Sequence, residues 1–234
     1  MEASLPQEIP IVIISWNNLF FVRKFIDQVT RFPNPIIVLD NCSTYQPLLA
    51  YLNEIKNERI TVHLLDQNYG HTVYKTLPHL LPRIYIISDP DLELHPDMPS
   101  NVSDQLLALS NKYKAGKIGL ALDISDHDKF IEGSYGKLVY QIESGYYQNS
   151  VVDSDYTLYN APTDTTFCLV NLDYPAETQL RVGGSFTAKH LPWYNNYLRD
   201  NVPRDELEVW ISNNKSSSIL HYIDKESLLV SKIR

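Results

Sequence analysis

Apolar positions in the first 125 residues fall into two alternating patterns. The first is the short strand-like run: Ile9 to Ser15, which is continuous and rich in Ile and Val, then Ile36 to Leu39, Ile60 to Leu65, Arg83 to Ser88 and Lys117 to Leu122. Runs of that length suit strands covered on both faces. The second is helical spacing. In Leu19 to Arg31, residues Leu19, Val22, Ile26 and Val29 recur at steps of three and four, Asn17 and Asn18 are good N-cap types, and Pro33 and Pro35 close the segment. Pro47 to Ile55 and Ser103 to Tyr113 read as further helices, and Val73 to Leu81 as a weaker one interrupted by Pro78. Alternation of this kind predicts an α/β fold with a mostly parallel central sheet and helices on both faces.

The second half is less regular. Six tyrosines crowd between Tyr135 and Tyr159, and only Thr165 to Val170 reads clearly as a strand. No linker or repeat divides the chain, and 234 residues with 44% hydrophobic content suffice for one core. A single domain over 1–234 is therefore expected, with one ligand-binding half at about 9–125 and another at about 126–234.

Composition narrows the function classes. A net charge of −8 without a basic run argues against nucleic acid as a partner. Cys42 and Cys168 are the only cysteines, which excludes a disulfide scaffold or a four-cysteine zinc site and leaves two free thiols as the expectation. The longest apolar runs are strand-sized, so no transmembrane segment is expected. The N-terminus lacks a basic start followed by an apolar run, so no signal peptide is expected either, and the expected location is the cytoplasm (a host's, if the protein is viral). N-x-S sequons at Asn41, Asn101 and Asn214 match by chance often enough to carry little weight.

Ligands of open α/β sheets bind beyond the C-terminal strand ends. Four successive ends carry polar clusters here: Ser15-Trp16-Asn17-Asn18, Asp40-Asn41-Cys42-Ser43-Thr44, Asp66-Gln67-Asn68-Tyr69-Gly70-His71, and Ser88-Asp89-Pro90-Asp91. No G-x-G-x-x-G, P-loop or G-x-S-x-G accompanies them, which argues against a common dinucleotide-binding fold, a P-loop NTPase and an α/β-hydrolase. Without a glycine-rich cradle a diphosphate needs a metal, and Asp89 and Asp91 are carboxylates suited to Mg²⁺ or Mn²⁺. A solvated turn is the alternative for an isolated D-P-D; its place after the fourth strand favours the metal.

The segments PIVIISWNN, IIVLDNCST, NYGH and YIISDPDLELHPD resemble the nucleotide-binding half of glycosyltransferase family 2. The second half is similar to a subgroup in which APTDTTF is followed by RVGGSFTAKHLPWY, and the likeness extends to the N-terminal glycosyltransferase domain of a multidomain chlorovirus protein that builds capsid glycans. The resemblance covers about residues 9–200. It implies the Rossmann-like GT-A fold, a nucleoside-diphosphate sugar donor, most simply UDP-linked, a glycan acceptor, and inversion at the anomeric carbon. By position it implies that Ser15, Asn17 and Asp40 line a nucleoside pocket, that Asn68, Gly70 and His71 close over base and ribose, and that Asp89 and Asp91 hold ribose and metal. The chain lacks the family's Glu-Asp pair and Q-x-x-R-W segment, so its catalytic base must be sought elsewhere.

His190 is a candidate third metal ligand, with His221 its rival; a hydrogen-bonded core histidine is the alternative. Trp193 and Tyr194 suit stacking on an acceptor sugar or core packing equally. Gly183-Gly184 suits either a close backbone approach to the sugar or a turn. Among Asp153, Asp155, Asp164 and Glu177, Asp164 is the expected base, because it directly precedes the predicted strand Thr165 to Val170. Two other functions share these features: a sugar nucleotidyltransferase, which would need a basic glycine-rich loop absent from SWNNLF, and an inactive nucleotide-sugar-binding module.

Overall fold

The computed structural model describes residues 8–212. His221 and the Asn214 sequon lie outside the described residues. In chain order the elements are β1 Ile11–Ser15, α1 Leu19–Val29, β2 Ile36–Asp40, α2 Gln46–Glu54, β3 Ile60–Leu64, α3 Val73–Thr76, β4 Ile84–Ser88, β5 Leu92–Leu94, α4 Val102–Tyr113, β6 Lys117–Leu122, α5 Ser134–Tyr146, β7 Ser150–Val151, β8 Leu158–Asn160, β9 Cys168–Asn171, β10 Gln179–His190, α6 Tyr197–Asn201 and α7 Arg204–Ser212. They build one 10-stranded sheet in the order β3-β2-β1-β4-β9-β6-β10-β8-β7, with β5 pairing to β10.

β1 pairs in parallel with β2 and β4, and β2 with β3. β9 runs antiparallel between β4 and β6, and β6 pairs in parallel with β10. The C-terminal ends of β1, β2, β3, β4 and β10 and the N-terminal end of β9 therefore share one rim.

Side-chain alternation sorts the apolar runs onto two faces, as a two-residue period requires. Ile11, Ile13, Ile36, Val38, Ile86, Phe167 and Leu169 pack with α1, α2 and α4. Val12, Ile14, Leu39, Tyr85, Ile87, Cys168 and Val170 face α3, through Val73 and Tyr74. A third cluster joins Phe21 of α1 to α5, α6 and α7 through Tyr135, Leu198, Leu207 and Trp210.

Three expectations need correcting. Asn18 does not cap α1 with its side chain; its Oδ1 accepts the Trp16 N–H at 3.1 Å. The first-turn donor Phe20 N–H is instead taken by Glu206 Oε1 of α7, at 2.8 Å. The strand predicted from Thr165 begins only at Cys168, because Phe167 turns at φ +48° to bury its ring against Phe25 and Phe32. Gly183 and Gly184 do not form a turn between elements: they lie within β10, and Gly184, at φ +68°, sits in a bulge where the β10 register against β6 shifts between Val182 and Thr187. The tyrosine-rich stretch holds α5, whose Glu143 is buried in an ion pair with Arg181 at 2.6 Å. Among the described residues both cysteines are free thiols, and no helix is long and apolar enough to cross a membrane.

Candidate active site

A cavity of 380 Å³ opens at the shared strand rim. From the first three strand ends it takes Ile14, Trp16, Asn18, Asn41, Asn68, Gly70 and His71. Asp89, Pro90 and Asp91 follow β4, Asp164 precedes β9, His190 ends β10, and Trp210 comes from α7. The topology thus gathers Asn68, Gly70, His71, Asp89, Asp91, Asp164 and His190, which are far apart in sequence, around one space.

Ser15, Asn17 and Asp40 lie at this rim, but their side chains are engaged inward. Asp40 is 1% exposed. Its carboxylate accepts Ser15 Oγ–H at 3.0 Å, Ser43 Oγ–H at 2.6 Å and Ser43 N–H at 2.9 Å. Burial raises its pKa, and these hydrogen bonds work against the rise. Asn17 Oδ1 accepts the backbone N–H groups of Thr44 and Tyr45, at 2.7 and 3.0 Å. All three side chains brace the loop after β2, and the cavity is lined by their neighbours Trp16, Asn18 and Asn41. Asn41 itself is buried, accepts Tyr69 N–H at 3.2 Å and donates to the Gly70 carbonyl at 3.2 Å. A side-chain amide fixed in this way is closed to glycosylation in the folded chain.

Charge in the cavity is one-sided. Three carboxylates line it, from Asp89, Asp91 and Asp164, and among the described residues no Lys or Arg does. Asp89 is pushed well above the ordinary carboxylate range by burial first and by the charge of Asp91 next; a hydrogen bond from Thr165 Oγ–H opposes the shift, and Asp164 adds to it. A cation would reverse that logic.

The side chains fit a divalent ion. His190 Nε2 stands 3.6 Å from Asp91 Oδ2. Asp91 Oδ1 and His190 Nδ1 are buried without a hydrogen-bond partner among the described residues. Neither atom is committed to a protein partner, so both are free to meet a ligand or water. No three His, Cys, Asp or Glu side chains converge as a closed metal cage among the described residues. A hard cation held by one or two carboxylates, with water and substrate phosphates completing the shell, needs no such cage.

Trp193 does not line this cavity. Its ring stacks on His190 at 4.6 Å and meets Phe130 edge-on at 5.8 Å, so it orients the histidine from behind. Tyr194 donates its hydroxyl to Asp126 at 2.7 Å. Two tryptophans do line the cavity: Trp16, just after β1, and Trp210, on a helix that the strand-end logic does not reach.

Of the four carboxylates considered as base, Asp164 alone lines this cavity. Asp153 is spent on Lys112 and Tyr113, both at 2.6 Å, which hold its carboxyl well below the usual range. Asp155 is exposed and accepts Ser154 Oγ–H, and Glu177 is exposed on a neighbouring cavity. Asp164 belongs to a loop rather than a strand. The loop is held by Lys117 Nζ, which donates to the Thr163 carbonyl at 2.6 Å and the Asp164 carbonyl at 3.4 Å. Gln179 Oε1 accepts the Thr163 N–H at 2.7 Å.

No family model matches the sequence, and no curated protein does. Among solved structures, S. aureus TarS 1-349 overlaps 50% of this chain and 36% of its own length, at 14% identity and a TM-score of 0.39. The same fragment in complex with UDP gives the same coverage and identity at a TM-score of 0.36. This chain thus spans about a third of that fragment. Mannosyltransferase PcManGT from Pyrobaculum calidifontis, in complex with GDP-Man and Mn²⁺, is similar over 93% of this chain and 69% of its own, at 11% identity and a TM-score of 0.50. The chain has the α/β GT-A fold, shared with that mannosyltransferase over nearly its whole length.

Proposed function

We propose that the protein is a metal-dependent glycosyltransferase that moves a sugar from a nucleoside diphosphate, UDP by preference, to a hydroxyl of an acceptor glycan with inversion. The observation that carries this reading is the rim cavity: three carboxylates, two histidines, no Lys or Arg among the described residues, and two buried polar atoms without a protein partner. A site so acidic repels a diphosphate unless a divalent ion stands between them. The fold supports the reading, since the similar mannosyltransferase holds GDP-Man and Mn²⁺.

In this scheme Asp91 and His190 hold the ion, with Asp89 beside them, and the ion, when bound, offsets the charge developing on the leaving diphosphate. Trp16, Asn18, Asn41, Asn68 and the Gly70-His71 turn shape the nucleoside end. Ser15, Asn17 and Asp40 support that end by bracing its loops. Asp164 takes the proton from the attacking hydroxyl, on a loop kept in place by Lys117 and Gln179. The whole assembly is one catalytic domain, with donor binding in the first half and acceptor binding in the second.

The test is a screen of UDP- and GDP-sugars with Mn²⁺, Mg²⁺ or EDTA, read by thermal stabilisation and by release of free nucleotide. Metal-dependent stabilisation with turnover is expected. Full activity in EDTA overturns the metal role, and stabilisation without turnover on any acceptor identifies an inactive binding module.

A further inference from the structure

The loop that carries Asp164 to the rim cavity is held through three successive carbonyls, each by a cationic side chain from the sheet. Arg181 Nε donates to the Pro162 carbonyl at 2.8 Å. Lys117 Nζ donates to the Thr163 carbonyl at 2.6 Å and to the Asp164 carbonyl at 3.4 Å. The two cations stand on neighbouring strands: where β10 pairs with β6, Arg181 lies opposite Gly119 and Gln179 opposite Lys117. Residues two apart on a strand share a face, so Lys117, Gly119, Gln179 and Arg181 form one bed for the loop. Gly119 keeps that bed low. A Cβ at this position would stand 2.9 Å from Thr163 Cγ2 and 3.0 Å from Thr163 Cβ.

A surface loop ordinarily leaves its carbonyls to water. Here Arg181 and Lys117 are only 5% and 7% exposed, and burying a cation is costly unless its partners are well placed. Arg181 has them. Its Nη1 donates to Glu143 Oε2 at 2.6 Å, and its guanidinium lies 4.6 Å from the centre of the Tyr146 ring. Glu143 and Tyr146 both belong to α5, so the helix fixes the guanidinium on one side while the guanidinium fixes the loop on the other.

We infer that Arg181 is a positioning residue: clamped by Glu143, it holds the Pro162 carbonyl and, with Lys117, sets where the Asp164 carboxylate stands in the rim cavity. The inference deepens the proposed role of Asp164 and rests on it for its effect on turnover. A base must lie within hydrogen-bond reach of the hydroxyl that it deprotonates, and a misplacement of about 1 Å can lower a rate by roughly 10². Lysine is no substitute at 181. It keeps the charge but lacks the planar fork that meets Glu143 through one nitrogen and Pro162 through another.

The test compares the wild-type full chain with Arg181→Lys, Glu143→Ala, Glu143→Gln, Gly119→Ala and Asp164→Asn. Amide exchange of residues 160–167 is followed by mass spectrometry. Release of UDP from UDP-glucose, UDP-galactose and UDP-N-acetylglucosamine with Mn²⁺ gives kcat and KM. In Arg181→Lys, exchange in 160–167 should quicken by about tenfold, and kcat should fall by roughly 10–10² while the donor KM stays within about twofold. Glu143→Ala should do the same, and Glu143→Gln, which returns an oxygen to the guanidinium, should restore most of the loss. Gly119→Ala presses on Thr163 without altering any charge; it should reproduce the pattern and carries the test if Arg181→Lys does not fold. Unchanged exchange in 160–167 overturns the inference, and where the wild type turns over none of the three donors, exchange alone decides. A donor KM that worsens as much as kcat falls also overturns it, as does normal kcat in Arg181→Lys beside an inactive Asp164→Asn. Quickened exchange together with normal turnover in Asp164→Asn would uphold the clamp and overturn Asp164 as the base.

Discussion

Glu206 offers a sharp test of how α7 is attached. It is 1% exposed, its Oε1 accepts the Phe20 N–H, and its Oε2 is buried with no partner among the described residues. Burial raises its pKa from the ordinary 4.5 to about 7; the Phe20 hydrogen bond opposes the rise, Asp205 adds to it and Arg23 subtracts. Folding therefore favours the protonated acid. The native state holds more protons than the unfolded one between these two values, so stability is greatest below pH ~4.5 and falls as pH rises towards ~7. At ~1.4 kcal/mol per pKa unit the loss amounts to roughly 3 kcal/mol. Glu206→Gln retains the acceptor for Phe20 N–H and cannot ionise. In urea denaturation it should match the wild type near pH 4.5 and exceed it by up to roughly 3 kcal/mol at pH 8. Comparing wild type with variant at each pH cancels the titration of all other groups. A difference that does not change with pH would refute the reasoning, because it would mean that the carboxyl has no raised pKa in the fold. The effect should also reach the rim cavity. The same helix brings Trp210 to that cavity, and its Asp205 accepts the Tyr45 hydroxyl at 2.8 Å. UDP affinity of the wild type should therefore weaken at pH 8 relative to Glu206→Gln.

Three further outcomes are expected. Asp91→Asn should abolish Mn²⁺-dependent stabilisation by UDP while the fold persists; retention of the full thermal shift would remove Asp91 from the metal site. Asp164→Asn should keep UDP and Mn²⁺ affinity and lower turnover by roughly 10²–10⁴, and a parallel loss of UDP affinity would assign Asp164 to nucleotide binding. Asp40→Ala strands the Ser43 N–H and two hydroxyls in a buried loop, so it should cost about 2–4 kcal/mol of stability in urea; unchanged stability would return Asp40 to direct nucleoside contact.

Strands β1, β2, β4 and β6 were legible because each is a mostly apolar run that the fold buries, β3 was legible from its Ile, Val and Leu although it lies half-exposed at the sheet edge, and the place of D-P-D at the rim followed from its position after β4. The rest was hidden for identifiable reasons. The long strand β10 is obscured by the glycine pair that makes its bulge. Helix α5 is obscured because its buried face includes Glu143, which is tolerable only through Arg181, 38 residues away. Trp210 gives no signal at all, since it comes to the cavity on a helix whose anchor is the distant N-terminus of α1. Asp164 reaches the cavity from the expected segment, but a lysine and a glutamine brace its loop, not a strand beneath it.

Ser15, Asn17 and Asp40 lie at the rim but do not line the cavity, and this has a physical cause. Successive side chains of a strand alternate in direction, but the chain leaves the strand after Ser15 and Asp40, and Asn17 and Cys42 turn at φ +52° and +59°. Ile14, Trp16 and Asn18 line the cavity, while Ser15 and Asn17 between them turn inward. After β2 the same step separates inward Asp40 from cavity-lining Asn41. The inward set has work that the fold cannot omit: a loop leaving a buried strand carries backbone donors that no ladder satisfies, and a nearby Asp, Asn or Ser is the usual acceptor. Polar character at a strand end therefore identifies the rim but not the ligand contact. The turn that follows each strand makes that choice, and it points to Trp16, Asn18 and Asn41 as the positions where a substitution should change which nucleotide is bound.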